Sequence, residues 1–187
     1  MVRRFCLGIL AGMLAATGHA AACDTPHQAD ALQGVARAIP ASYAPAPSTK
    51  LYQPPSNRLD PYTALSKINE LRLANGVKPL TLDPLLAEAA HAHAADLARR
   101  DAISHYGVNG STPVTRVAST GYDAVLTGEN VATGYRDFDE VLDGWLHSPG
   151  HRKTLLLPDV VHVGLALVYD RNASSRTFWT MVVAEPF

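Results

Sequence analysis

Residues 161–184 read Val161-His162-Val163-Gly164-Leu165-Ala166-Leu167-Val168, then a polar stretch from Asp170 to Arg176, then Thr177-Phe178-Trp179-Thr180-Met181-Val182-Val183-Ala184. In the first run Val161, Val163, Leu165 and Leu167 alternate with His162, Gly164, Ala166 and Val168, the period of two that marks a strand. The second run is rich in β-branched and aromatic residues, which fit a pleated surface. The polar stretch between them suits a hairpin loop, so the two strands are expected to pair antiparallel. A third short strand is expected near Val125 to Val131.

Upstream of Pro158 the grammar is helical. Asp60-Pro61 supplies an N-cap followed by proline at the first helical position, and Leu65, Ile68 and Leu71 recur at helical spacing until Asn75-Gly76 stops the run. Asp83-Pro84 repeats the pattern; Leu86, Ala90, His93, Ala94 and Leu97 share one face, and Arg99-Arg100 complement the C-terminal end of the helix dipole. Thr112-Pro113 opens a shorter helix ending at Gly121. Asp137 opens another, with Val141, Leu142 and Trp145 as its apolar face, and Ser148-Pro149 begins one or two further turns. Helices first and a terminal hairpin last, without regular strand–helix alternation, predict an α+β layered fold and not a doubly wound sheet.

The chain has 187 residues, 47% of them hydrophobic, enough for one domain with a substantial core. Residues 1–22 are expected to be a secretory signal: Arg3 and Arg4 precede an apolar run from Phe5 to Thr17, and Ala20-Ala21-Ala22 offers small residues for cleavage. Residues 23–59, with Pro40, Pro45, Pro47, Pro54 and Pro55 and little periodicity, read as a disordered linker, leaving residues 60–187 as the domain. No other segment approaches the roughly 20 apolar residues of a membrane-crossing helix. The 16 Lys and Arg less Arg3 and Arg4 leave 14 basic against 17 acidic side chains, a net charge of −3, with no basic stripe to follow a phosphate backbone. Nucleic acid is therefore not expected as a partner. Cys6 leaves with the signal, so Cys23 has no intramolecular disulfide partner. Cys23 directly follows the small-residue run, as the acylated cysteine of a bacterial lipoprotein does, although Ala20 stands where that pattern favours leucine. The chain is thus expected to be secreted or periplasmic, either free or anchored through a lipidated Cys23.

Four segments carry a family resemblance: Ser104-His105-Tyr106-Gly107; Gly128-Glu129-Asn130-Val131-Ala132; Trp145-Leu146-His147-Ser148-Pro149-Gly150-His151-Arg152; and Val163-Gly164-Leu165-Ala166 with Phe178-Trp179-Thr180. In this order, behind Leu82-Asp83-Pro84-Leu85-Leu86, they resemble the bacterial branch of the CAP superfamily, relatives of cysteine-rich secretory proteins, antigen 5 and plant pathogenesis-related proteins. The resemblance covers about Tyr62 to Phe187. It implies an α-β-α sandwich, with a central antiparallel sheet between helical layers and a cleft lined in many members by two His and two acidic residues. His105, Glu129 and His151 carry over. The second acid does not: three residues after Trp145, where animal and plant relatives place Glu, stands Ser148.

Taken by themselves, two imidazoles and a carboxylate are a reasonable ligand set for Zn²⁺ or a similar divalent ion, and Glu129 is then the candidate catalytic base. The three lie 24 and 22 residues apart, so only the fold can bring them together. A hydrogen-bonded cluster that holds no metal, hence no cofactor, fits the same residues. Each residue also has a plainer reading. His105 could cap helix carbonyls, and Glu129, between Gly128 and Asn130 in a turn-like context, could accept backbone N–H bonds. His151 lies in a first helical turn, where a positive charge opposes the dipole and a neutral site imidazole is favoured. Ser148, Asn130 and His147 are placed around the three as supporting side chains. His91 and His93 point to different faces, His93 toward the core and His91 into solvent. His162 reads as a surface strand residue and Trp145 as core. Ser104 beside His105, and Ser148 near His151, suggest a Ser-His-Glu hydrolase only weakly, because no Gly-x-Ser-x-Gly elbow occurs.

Three functions follow from these readings. One is a binding module whose groove takes a small apolar, lipid-like or peptide ligand or a cell-envelope component; the second is a metal-assisted hydrolase of an envelope component; the third is a scaffold tethered through Cys23. Intact-mass measurement of the mature protein tests the anchor: acylation at Cys23 is expected to add the mass of its acyl chains, and an unmodified N-terminal mass excludes the lipoprotein reading.

Overall fold

A computed structural model describes residues 57–187; the expected signal segment, the expected linker up to residue 56 and Cys23 lie outside the described residues. The elements are α1 (Pro61–Ala74), β1 (Thr81–Leu82), α2 (Pro84–Arg100), α3 (Pro113–Ser119), β2 (Ala124–Thr133), α4 (Phe138–His147), α5 (Pro149–Leu155), β3 (His162–Tyr169) and β4 (Thr177–Pro186). The helix starts are local chemistry. Asp60, Asp83, Thr112 and Asp137 each accept a backbone N–H at the first turn of α1 to α4, and proline follows three of these caps. Each such cap contributes about 1 kcal/mol. Gly121, at φ 86°, turns the chain after α3 as expected.

The sheet has four strands in the order β1-β3-β4-β2. The β3–β4 hairpin is antiparallel, and β2 pairs antiparallel with the other side of β4. The expected antiparallel sheet gains one addition: β1, only two residues long, runs parallel to β3 at the edge. Two residues carry no period to detect, so the strand exists only through its partner. It is held to α1 by Asn69, whose amide donates to the Leu80 carbonyl and accepts the Leu80 N–H.

Helices cover both faces. Val163, Leu165, Trp179, Met181 and Val183 pack with Ala64 and Ile68 of α1, Val141 and Trp145 of α4 and Leu155 of α5. On the opposite face Ala166, Val182 and Ala184 pack with Leu86, Ala90 and Ala94 of α2 and Val117 of α3. The result is the α-β-α sandwich. Strand β4 is buried on both faces from Thr177 to Ala184, which is why it reads as a continuous apolar run and not an alternating one.

Two contacts set the layer spacing. At Gly164 a Cβ would overlap the backbone of Leu86 and Ala87, so α2 lies directly on β3 and only glycine fits between them. On the other side Arg72 is fully buried, which the α1 pattern did not suggest. Its guanidinium donates to the carbonyls of Lys78 (2.7 Å), Leu155 (2.7 Å) and Leu157 (3.1 Å). These include the last residue of α5, whose terminal carbonyls have no partner within the helix. The apolar face read for α1 packs on the core, with Ile68 buried and Leu65 and Leu71 half-buried against it, and the buried stripe continues through Arg72. His162 also departs from its surface reading. It is half-buried, and its Nδ1 is hydrogen-bonded to the Tyr122 hydroxyl at 2.7 Å.

Gly164→Ala is expected to lower stability by about 1–3 kcal/mol through overpacking. Gly150→Ala, whose new methyl meets nothing within 4 Å, should change it by less than about 0.5 kcal/mol. Urea unfolding of both variants checks this; equal midpoints would show that α2 and β3 are not in contact through Gly164.

Candidate functional site

Strand β2 is an edge strand, and its alternation addresses both helical layers. Val131 packs on the α2 face and Ala132 on the α4–α5 face, so Glu129 turns toward α2 and α3 and Asn130 toward α5. Glu129 therefore sits within a strand and not in the turn its glycine neighbour suggests.

The Glu129 side chain is 1% exposed. Its Oε2 accepts from Arg116 Nη2 of α3 at 2.6 Å, and its Oε1 faces His105 Nδ1 at 2.9 Å. His93 of α2, fully buried, brings Nε2 to 3.7 Å from the same Oε1. Arg116 is nearly as buried as the carboxylate. It also donates to the His105 carbonyl (3.1 Å) and the Ser111 carbonyl (2.9 Å), and so pins the loop that carries His105. His93 Nε2 is 2.8 Å from the Ser104 carbonyl, a second tie on that loop. His105 consequently does not cap a helix: its ring reaches the carboxylate while its backbone is held by the guanidinium.

The arrangement selects tautomers. A carboxylate engaged by Arg116 has only acceptors to offer His105, so Nδ1 carries the proton and a neutral ring turns its Nε2 lone pair outward. His93 must donate from Nε2 to the Ser104 carbonyl, which leaves Nδ1 as an acceptor. Burial, offset in part by the Glu129 charge, lowers the His93 pKa below its ordinary value. Burial, followed by the nearby His105, lowers that of His151. Nearby, burial pushes the Asp96 carboxyl up, but the Val108 N–H and Arg100 outweigh it and the net shift is downward.

His151 stands at the start of α5, half-buried, with its carbonyl accepting from the Asn130 amide at 3.0 Å. Asn130, expected as a supporting side chain, is bonded to the His151 backbone and not to its ring. The His151 ring lies close enough to feel the His105 charge but makes no hydrogen bond to the Glu129 cluster among the described residues. Ser148 occupies the N-cap position of α5 without a side-chain cap bond. His147 is exposed and bonded to Asp143, its Nδ1 2.9 Å from the carbonyl and 3.3 Å from the carboxylate. The surface consequently presents two imidazoles, His105 and His151, with Glu129 beneath holding the first of them.

The donor set does not match a three-ligand metal site in this geometry. Both Glu129 oxygens are taken by N–H donors, and among the described residues no group of three His, Cys, Asp or Glu side chains is placed to share an ion. Arg116 was missed in the sequence and His93 was read only as core. Both sit one helical step from apolar core positions, Arg116 beside Val117 and His93 beside Ala94, which was the available signal.

Residues 65–183 match the family model of cysteine-rich secretory proteins, CAP. The Bacillus subtilis protein YkwD is 32% identical over 112 residues, 60% of this chain and 42% of that one. The B. subtilis membrane protein YlbC is 32% identical over 114 residues, 61% of this chain and 32% of that one. The chain thus spans less than half the length of either relative. An extracellular protein from Bacillus anthracis containing an SCP domain superposes with a TM-score of 0.58 at 28% identity, covering 70% of this chain and 45% of that one. An outer surface protein of Borrelia burgdorferi, 24% identical, shares the fold with a TM-score of 0.62 over 69% of this chain and 97% of that one.

Glu129→Gln strands the buried Arg116 charge and is expected to lower stability by about 3–5 kcal/mol. Asp143→Asn, which breaks only the exposed pair with His147, should cost less than about 1 kcal/mol. Acid provides a second check. Because His93 and His151 titrate below the ordinary imidazole value of 6.5 when folded, the unfolded chain takes up protons first. Their contribution is complete above that value and is lost as pH falls through the folded pKa values. The Tm of wild type should therefore drop on acidification below 6.5, and His93→Gln should flatten the drop; an unchanged profile would contradict the buried, neutral His93.

Proposed function

Because the chain belongs to the cysteine-rich secretory protein (CAP) family, we propose that it acts outside the cytoplasm as a binding module, with His105 and His151 facing its ligand and Glu129 positioning His105. The observation that carries this reading is the engagement of Glu129. A carboxylate 1% exposed, with one oxygen on a guanidinium and the other on an imidazole, is neither a free general base nor an open metal ligand. Ser148, in place of the second acid, leaves no other carboxylate in that position to take over the role. A carboxylate with both oxygens engaged by side chains of two other elements fixes the position of His105 above it, as a recognition site requires.

The ligand class follows from the rim. The loop that carries His105 also exposes Ile103, Tyr106 and Val108, so apolar side chains flank His105 along the chain. That combination suits a small apolar, lipid-like or peptide ligand, or a cell-envelope component with such a part, oriented by a few polar contacts. The expected signal segment at residues 1–22 places the chain in the secreted or periplasmic space, free or tethered through Cys23. No helix among the described residues is long and apolar enough to cross a membrane.

One observation favours a metal-assisted hydrolase as the second reading. His105, its Nδ1 proton fixed by Glu129, offers an Nε2 lone pair near a His151 whose charged form is disfavoured. Two neutral imidazoles could hold a divalent ion, which when bound would lower the pKa of a coordinated water. Calorimetric Zn²⁺ titration of the mature protein and of His105→Ala and His151→Ala separates the readings. The binding module predicts no stoichiometric Zn²⁺ site that both substitutions abolish, and no chelator-sensitive turnover of envelope substrates. It also predicts that His105→Ala and Tyr106→Ser weaken binding of an apolar reporter such as anilinonaphthalene sulfonate. Stoichiometric Zn²⁺ lost in both histidine variants, with turnover that chelation stops, would replace it with the hydrolase.

A further inference from the structure

The sequence holds two Asn-Gly pairs, Asn75-Gly76 at the end of α1 and Asn109-Gly110 in the loop between α2 and α3. In such a pair the side-chain amide is open to attack by the next backbone nitrogen, because glycine places no side chain over it. The structure treats the two differently. At Asn75 the side chain is held at both ends: Nδ2 donates to the Leu71 carbonyl (2.8 Å) and Oδ1 accepts from Arg152 Nη2 (3.0 Å). Asn109 is exposed; its Oδ1 accepts the Ser111 N–H at 3.0 Å, and its Nδ2 has no partner among the described residues. The atom facing Ser111 is the carbonyl oxygen, since a backbone N–H only donates.

That bond closes a ring containing both Asn109 Cγ, the carbon to be attacked, and Gly110 N, the attacking atom, so the side-chain carbonyl is folded over the following peptide. It also sets an N–H donor on the oxygen where negative charge develops during attack. Around Gly110 the space is open: a Cβ there would meet nothing within 4 Å, so water reaches the nitrogen. One contact opposes the reaction. The Gly110 N–H donates to the Gly107 carbonyl at 2.9 Å, and this turn bond, in an exposed loop, must open before the nitrogen attacks. The chemistry balances with water alone. Hydroxide takes the Gly110 N–H proton, the nitrogen bonds to Cγ, and Nδ2 takes a proton from solvent and leaves as ammonia. Water then opens the cyclic imide. Cleavage between Gly110 N and Cγ gives aspartate; cleavage between Gly110 N and the Asn109 main-chain carbonyl gives isoaspartate.

We propose that Asn109 is a self-modification site, converted in the folded protein through a succinimide with Gly110 to aspartate or isoaspartate. The surroundings favour the product. Asn109 lines a cavity of about 480 Å³ between α2, α3 and the loop 107–111, together with His93, Asp96, Arg99 and Arg116. Asp96 is shared by Arg100 (2.7 Å) and Arg99 (3.3 Å), and Glu129 takes Arg116, so in this cluster three guanidiniums face two carboxylates. A carboxylate at residue 109 supplies the missing negative charge. The modified loop is also the one that carries His105 and that Arg116 holds at the Ser111 and His105 carbonyls. Isoaspartate inserts one further main-chain atom just ahead of Ser111. The inference does not depend on the function proposed for His105 and His151.

Mature wild type held folded at neutral and at mildly alkaline pH, then digested in acid and mapped by mass spectrometry, tests the site, with urea-unfolded protein run in parallel. A mass gain of one amide-to-carboxyl exchange is expected at residue 109, split between aspartate and isoaspartate and faster at the higher pH. Residue 75 should stay unchanged over the same period. Asn109→Gln, whose attack needs a larger ring, should lose the gain while keeping the wild-type Tm. Gly110→Ala, which covers the nitrogen, should slow the gain several-fold if it folds with that residue at φ 78°. No gain at residue 109 in folded wild type, whatever the unfolded chain does, would show that the Gly107 bond closes the nitrogen off. An equal rate at residue 75 in the folded protein would show that the Asn-Gly pair alone decides. Either result overturns the proposal, and neither bears on zinc or reporter binding at His105 and His151.

Discussion

A single carboxylate taken out of water organises one half of this molecule. Glu129 lies on an edge strand with 1% of its side chain exposed, and an ion in that position destabilises the fold by several kcal/mol unless it is paired and hydrogen-bonded. Its partners come from separate pieces of chain: Arg116 from α3, His105 from the loop after α2, and the nearby His93 from α2 itself. Satisfying the carboxylate therefore requires α2, α3, the connecting loop and β2 to be in register together. Arg116 makes the requirement stricter, because the same guanidinium also holds the backbone of the loop at Ser111 and His105. The polar cluster is thus both the site and a constraint on assembly.

The other half of the sandwich is set by contacts of a different kind. On the α2 side the helix backbone rests on Gly164, a steric limit with no polar content. On the α1–α4–α5 side the buried Arg72 guanidinium gathers the carbonyls of Leu155 and Leu157, which closes α5 against α1. Asn130 then connects the faces: neighbour to Glu129 in β2, it points the opposite way and holds the His151 carbonyl. Through adjacent residues of one strand, the position of His151 on α5 is coupled to that of His105 on the far layer. This follows from strand alternation, not from any contact between the two rings.

Electrostatics then decides what that surface can do. The carboxylate fixes the His105 tautomer, and burial with a neighbouring imidazole disfavours charge on His151. A His105 ring anchored by a carboxylate that is not free, near a His151 whose charged form is disfavoured, resembles the wall of a recognition site more than that of a hydrolytic centre, whose base must be free to take a proton. His93, in turn, carries the cluster inward to the cavity between α2 and α3.

Much of this was legible in the linear chain because the governing interactions are local. Asp60-Pro61, Asp83-Pro84, Thr112-Pro113 and Asp137 start helices because a cap reaches only two or three residues ahead. The hairpin of β3 and β4 follows from alternation and a polar loop, and His93 falls inside because its helical neighbours do. The family motifs singled out His105, Glu129 and His151 without saying how they meet. What only the tertiary structure decided depends on partners far away along the chain. Strand β1 is defined by residues 80 positions later. Arg72 is buried because carbonyls more than 80 residues away receive it, and Arg116 because a carboxylate 13 residues on needs a cation. Charged side chains read as solvated from composition alone, since nothing local can satisfy them in the interior. Only folding brings the compensating acceptor, and with it the reason for burial.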